Sequence, residues 1–312
     1  MNQRIATVTL NPAIDQTVGI PNLRADAVNR VSWRQDDAGG KGMNVASFLA
    51  DVGHRVSATG FLGRENARLF DSLFAQKGIA DHCVRIPGET RVNIKIVDDA
   101  QGQVTDINYP GQEPGEGDVR LLHDAVTALA QECDWFVFSG SVPGGLSSNI
   151  YDKLIGSLKA QGKTVVLDTS GDALRLGLPA KPDLIKPNQA ELEEVIGRSL
   201  LSKDDIVAAA RELIESGIPN VVVSMGADGA LFVNTDSAVH AVPPRVEVKS
   251  TVGAGDAMVA GTVSGLVSGK ALKDCGAMAT AFSMGALSQI GPRLPPLVRL
   301  QEMCDRVTVR PI

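Results

Sequence analysis

Short runs rich in β-branched residues alternate along this chain with longer stretches whose apolar positions recur at helical spacing. Residues 5–10, 135–139, 164–168 and 221–224 are of the first kind, and residues 45–52, 150–161 and 206–216 of the second. The alternation predicts βαβ units, hence an α/β fold with a doubly wound, mostly parallel sheet and helices on both faces. Residues 254–268 and 271–287 predict two more helices. No linker, charge block or repeat divides the 312 residues, so one domain spanning 1–312 is expected.

Two regions break the alternation. Residues 15–34 and 90–108 carry shorter pieces, and Arg91-Val92-Asn93-Ile94-Lys95-Ile96-Val97 alternates polar with apolar before a Gly-containing turn at 99–102. That pattern predicts a hairpin with one polar face. A small sheet built from about residues 12–36 and 88–110 is expected to act as a lid, because ligands of open parallel sheets bind at the carboxyl ends of the strands.

Composition narrows the function classes. Hydrophobic residues make up 44% and charged residues 21%, with 32 glycines, which suits a globular enzyme whose turns approach ligands through bare backbone. A net charge of −6 argues against holding nucleic acid over a broad surface. The first residues lack the apolar run of a signal peptide and no stretch has the length of a membrane span, so a cytoplasmic protein is expected. Cys83, Cys133, Cys275 and Cys304 lie too far apart for a zinc or redox motif and are expected to be reduced thiols. The four histidines are equally scattered.

Three segments carry candidate chemistry. In Ser250-Thr251-Val252-Gly253-Ala254-Gly255-Asp256, two glycines let the backbone turn at a helix start, where free N–H groups and the helix dipole favour an anion. Asp256 falls in the first turn, as a catalytic carboxylate or as a simple cap. A dinucleotide fingerprint needs glycine where Met258 stands, and no P-loop run exists. In Asp37-Ala38-Gly39-Gly40-Lys41-Gly42-Met43-Asn44, glycines around a lysine suit a phosphate or sugar hydroxyls, though a plain loop accounts for them equally. In Lys186-Pro187-Asn188-Gln189-Ala190-Glu191, the spacing of Asn188 and Glu191 suits water-mediated Mg²⁺ binding and fits a capping box better still.

The order GGKGxN, NxxE, STVGAGD resembles the ribokinase-like, or PfkB, family of carbohydrate kinases over nearly the whole chain. Thr9-Leu10-Asn11-Pro12-Ala13-Ile14-Asp15, Thr90-Arg91 and Ser139-Gly140-Ser141-Val142-Pro143 are similar to its phosphosugar branch. The resemblance implies ATP-dependent phosphorylation of fructose 1-phosphate at the 6-hydroxyl. Kinases of tagatose 6-phosphate or fructose 6-phosphate are the enzymatic alternative, and a sugar-phosphate sensor the non-enzymatic one. Fructose-6-phosphate enzymes of the branch tend to carry glycine at Lys41 and lysine at Val28, so the likeness to them weakens there.

Carried over residue by residue, the resemblance makes Asp256 the base, with Gly253, Ala254 and Gly255 as the anion hole. It assigns Asp15, Gly39, Gly40, Lys41, Asn44, Arg91 and Ser139 to the sugar phosphate, with Lys95 assisting Arg91. Lys186, Asn188, Ser224, Gly226, Gly229, Ser250 and Thr251, with Gly253 and Gly255, are implied at the nucleotide, and Asn188 and Glu191 at Mg²⁺ through water. Residues 250–252 and 286–291 resemble a K⁺ site of some relatives, and a homodimer through the lid is implied.

Overall fold

The structure is a computed structural model that describes residues 3–246 and 252–312. Its core is an eleven-stranded sheet, and ten of those strands form one continuous path. From one edge the path runs Ala80–Asp81, Arg55–Gly63, Arg4–Thr9, Trp135–Ser139, Thr164–Asp168, Leu184–Ile185 and Asn220–Ser224, all parallel. It continues antiparallel through Ala230–Asn234, Ala238–Val242 and Thr308–Pro311. The central strands are buried along most of their length, as expected where helices cover both faces.

The helices follow their apolar spacing where one face meets solvent. In Ile150–Ala160, Ile150, Tyr151, Leu154, Ile155 and Leu158 form the buried stripe. Lys41–Asp51 begins four residues before the periodicity suggests, because Gly40 turns the chain at φ 102° and the helix is then buried nearly all round. Ala254–Val267 is buried on most sides too, and packs against Leu272–Leu287 and Lys41–Asp51. Glycines make the close approach possible: a Cβ at Gly261 would meet the Ala279 Cα at 2.6 Å.

The antiparallel strands at the far edge are absent from the expectations, being five residues or fewer and lacking a clean alternation. Local turn chemistry makes the first hairpin: Asn234 Oδ1 accepts from the Asp236 and Ser237 amides. A separate four-stranded sheet in the order Trp33–Gly39, Ala13–Gly19, Val92–Asp98, Gln103–Ile107 is built from the two segments that break the alternation. Asp98 organises its outer end, accepting from the amides of Asn22, Leu23, Ala100 and Gln101. The four cysteines are free, and among the described residues no helix is long and apolar enough to cross a membrane.

Candidate active site

A cleft of about 270 Å³ lies between the small sheet and the carboxyl ends of the central strands, lined by residues drawn from between Asn11 and Asp256. At its floor Gly253, at φ 75°, starts the helix Ala254–Val267 and aims Asp256 into the cleft. Asp256 is 6% exposed; Asn44 Nδ2 donates to its Oδ2 at 2.7 Å, and Lys41 Nζ lies 3.9 Å from its Oδ1. Burial pushes the Asp256 carboxyl above its ordinary range, Lys41 opposes that, Asp168 adds to it, and the Asn44 hydrogen bond pulls it back down. A buried carboxylate held this way can accept a proton.

Asp168, to which the sequence analysis assigned no role, is the hub of the floor. It accepts from Ser139 Oγ at 2.8 Å and lies 3.4 Å from both Lys41 Nζ and Lys186 Nζ. Burial pushes its carboxyl up, but Lys186, Lys41 and Ser139 win and hold it below the ordinary carboxylate range. Asp168 in turn raises the Lys41 ammonium. A signal was present: Asp168 ends a buried β-branched strand at the carboxyl edge of a parallel sheet, where ligands gather. Ser139 supports Asp168, while its neighbours Gly140 and Ser141 line the cleft.

Most of the residues expected at the sugar phosphate come together beside the small sheet. Asp15 sits on the lid strand Ala13–Gly19, opposite Asn93 in register, and accepts from Asn93 Nδ2 at 3.3 Å. Burial pushes its carboxyl up to about 6, against the Asn93 hydrogen bond. Gly39 lies against it, since a Cβ there would collide with the Asp15 carboxylate. Gly40, Lys41 and Asn44 line the cleft alongside Asn11, Asn93, Thr169 and Ser170, which sequence reasoning had not singled out. Among the described residues Asn44 Oδ1 and Thr169 Oγ1 are buried without a hydrogen-bond partner, the condition of groups that a ligand satisfies.

Arg91 reaches the cleft but is partly committed. Its guanidinium donates to the carbonyls of Pro12, Asn11 and Tyr109, leaving the rest of the fork for a phosphate. Asn66 fixes the preceding residue by exchanging two 2.8 Å hydrogen bonds with the Thr90 backbone. Lys95 does not join Arg91. It faces Asp106 directly across the lid strands and pairs with it at 2.6 Å, outside the cleft lining, as opposite charges in register do.

On the other side of the floor, Lys186 lies against Gly255, and the bridge between Asn188 and Ser224 brings the third segment beside the turn of Gly226 and Gly229. Gly229, at φ 85°, packs so closely on the Ala241 carbonyl that a Cβ would collide with it. Asn188 and Glu191 form the reciprocal capping box: Asn188 N donates to Glu191 Oε2 at 2.8 Å and Glu191 N to Asn188 Oδ1 at 2.9 Å. Among the described residues no cluster of three or more acidic, His or Cys side chains could cage a metal. Oxygen donors such as Asn188 and Glu191 are of the type that hard cations take. Ser250 and Thr251 lie outside the described residues.

The profile of the pfkB family of carbohydrate kinases matches residues 8–298. The chain is 51% identical over 311 residues to the 1-phosphofructokinase of Rhodobacter capsulatus, covering 99% of this chain and 98% of that one. It is 41% identical over 309 residues to the 1-phosphofructokinase of Vibrio cholerae, covering 99% and 97%. Among solved structures, phosphofructokinase-2 of Escherichia coli with substrates and products superimposes with a TM-score of 0.91 at 31% identity, covering 97% and 98%. The same figures hold for its complex with potassium. Its tetrameric inhibited form matches at a TM-score of 0.88 and 30% identity, covering 97% and 98%.

Proposed function

The chain belongs to the pfkB family of carbohydrate kinases, and we propose that it transfers the γ-phosphoryl group of ATP to the 6-hydroxyl of fructose 1-phosphate, giving fructose 1,6-bisphosphate and ADP. The observation that carries the chemistry is the buried Asp256 carboxylate at a glycine-started helix N-terminus, facing a cleft that also holds Asp15 and Arg91. Full-length similarity to proteins named 1-phosphofructokinase supports the substrate.

In this reading Asp15 and Asn44 orient the sugar, and the free side of the Arg91 fork meets its phosphate. The 6-hydroxyl oxygen forms the new bond to phosphorus while the bond to the β,γ-bridging oxygen breaks, its electron pair leaving on ADP. The hydroxyl proton passes to Asp256. Backbone N–H groups at Gly253, Ala254 and Gly255 face the charge on the transferring group. Lys186, Ser224, Gly226 and Gly229, with Ser250 and Thr251 in the adjoining segment, take the nucleotide.

A kinase of this family uses a divalent metal, which offsets charge on the donor phosphates when bound. Mg²⁺ held through water by Asn188 and Glu191 suits the donors present, and K⁺ beside residues 286–291 is the accompanying monovalent ion. The molecule acts as one domain with the four-stranded sheet as its lid, as a cytoplasmic homodimer. Initial rates with MgATP against fructose 1-phosphate, fructose 6-phosphate and tagatose 6-phosphate test the reading. Preference for fructose 1-phosphate upholds it. Preference for a 6-phosphate moves the same chemistry to another sugar, and binding without turnover would make the protein a sensor.

A further inference from the structure

Lys41 opens its helix directly behind Gly40, and its ammonium stands 3.4 Å from Asp168 Oδ2 and 3.9 Å from Asp256 Oδ1. With Lys186 on the other oxygen of Asp168, the floor is a row of alternating charge: Lys186, Asp168, Lys41, Asp256. We propose that Lys41 is a catalytic cation of the transfer step, standing beside Asp256 at the reacting end of the cleft, and does not hold the phosphate that the sugar already carries. This rests on the kinase reading above.

Distance argues first. A hydroxyl in contact with Asp256 lies at one end of the sugar, and the phosphate on the first carbon lies at the other. An ammonium 3.9 Å from the base is therefore on the reacting side. Donors for the far end come from elsewhere: Arg91, Asn93, and the Asn11 amide that donates to Ser141 Oγ at 3.0 Å all line the same cleft.

Charge argues second. Two lysines and two aspartates balance on the floor. When the hydroxyl proton passes to Asp256, one negative charge disappears and the two ammonium groups face Asp168 alone. The floor turns positive as negative charge develops on the equatorial oxygens of the moving phosphoryl group, which is where a fixed cation lowers the barrier most. Asp168, 2% exposed and tied to Ser139, holds Lys41 in place for that moment at little cost in reorganisation.

The test compares Lys41→Met and Lys41→Arg with wild type in two measurements. Calorimetry gives the Kd for fructose 1-phosphate in the absence of nucleotide, and steady-state assays with MgATP give kcat. In Lys41→Met the Kd is expected to stay within about tenfold of wild type, while kcat falls on the order of 10²- to 10³-fold. Lys41→Arg, which keeps the charge and guards against a folding artefact, recovers part of the kcat. A Kd weakened by more than about tenfold, or a kcat within about tenfold of wild type, overturns the assignment. Should wild type turn over a different phosphosugar, the substrate reading fails, and the same comparison on that sugar still decides the role of Lys41.

Discussion

Asn44 Nδ2 donates to Asp256 Oδ2 at 2.7 Å, joining two helices from positions 212 residues apart. The bond fixes the rotation of the carboxylate and favours its charged form, against the burial that raises it. Asp256→Asn should therefore lower kcat by up to about 10⁴-fold with the fold intact. Asn44→Ala removes a donor to the charged carboxylate, so the acid limb of the kcat/KM profile should move to higher pH. A profile identical to wild type would break the link between these residues.

Asp15 titrates near 6 in the folded protein, against an ordinary value of 3.8. A carboxyl whose folded pKa is raised favours folding through its protonated form; that contribution is complete below about pH 3.8 and is lost as pH rises through about 6. Asp15→Asn, which is neutral at every pH, should gain stability relative to wild type, read as Tm, as pH rises through that window, by on the order of 3 kcal/mol. In the proposed role the charged carboxylate accepts a sugar hydroxyl more strongly than the acid does, so KM for the sugar should climb more steeply below about pH 6 in wild type than in the variant. A pH-independent difference in Tm would refute the assignment.

Gly60 and Gly53 both have positive φ, at 136° and 86°, but differ in surroundings. A Cβ at Gly60 would collide with the Thr9 carbonyl in the adjacent strand, whereas Gly53 opens to solvent. Urea denaturation should show Gly53→Ala losing about 1–2 kcal/mol and Gly60→Ala about 4 kcal/mol or failing to fold. Equal losses would mean that the sheet yields more easily than its register implies.

Asp98 ties two turns of the small sheet together through four backbone amides and is not among the residues that line the cleft. If that sheet closes over the cleft as proposed, Asp98→Ala should loosen the lid without touching Asp256. The ratio of ATP hydrolysis to sugar phosphorylation should then rise, because a loose lid admits water. An unchanged ratio would mean that the lid excludes no water.

The strand Gln103–Ile107 is exposed along its whole length and carries Val104 and Ile107, 53% and 44% exposed, at the edge of a four-stranded sheet. Such an edge gains from a partner. Light scattering should give a homodimer for wild type and monomers when Val104 and Ile107 are both replaced by Lys. A dimer that survives the double substitution would place the interface elsewhere.

The parts of this fold most legible in the sequence were those with strong local periodicity. The strands Trp135–Ser139 and Thr164–Asp168 and the helix Ile150–Ala160 follow from their apolar spacing alone. The hairpin of Val92–Asp98 with Gln103–Ile107 follows from alternation around a Gly-containing turn. Helices buried on most sides, such as Lys41–Asp51, lose that signal, and short antiparallel strands such as Thr308–Pro311 owe their state to a neighbour. Glycine-rich motifs revealed where the cleft would form. They did not reveal Asp168, whose partners Lys41, Lys186 and Ser139 are brought to it by three separate elements. Lys95 shows the converse: the right residue type in the right strand, committed to a cross-strand partner that only register determines.

The packing of Lys41–Asp51 against Ala254–Val267 also bears on how the chain acquires activity during synthesis. The ribosome delivers the glycine-rich half of the cleft long before the helix that carries Asp256. A nascent chain can assemble its early strands and small sheet while it still lacks Asp256, and docking of the late helix is the event that completes the cleft floor. Until then no carboxylate stands beside Asn44, and a stalled or truncated product has nothing at that position with which to consume nucleotide.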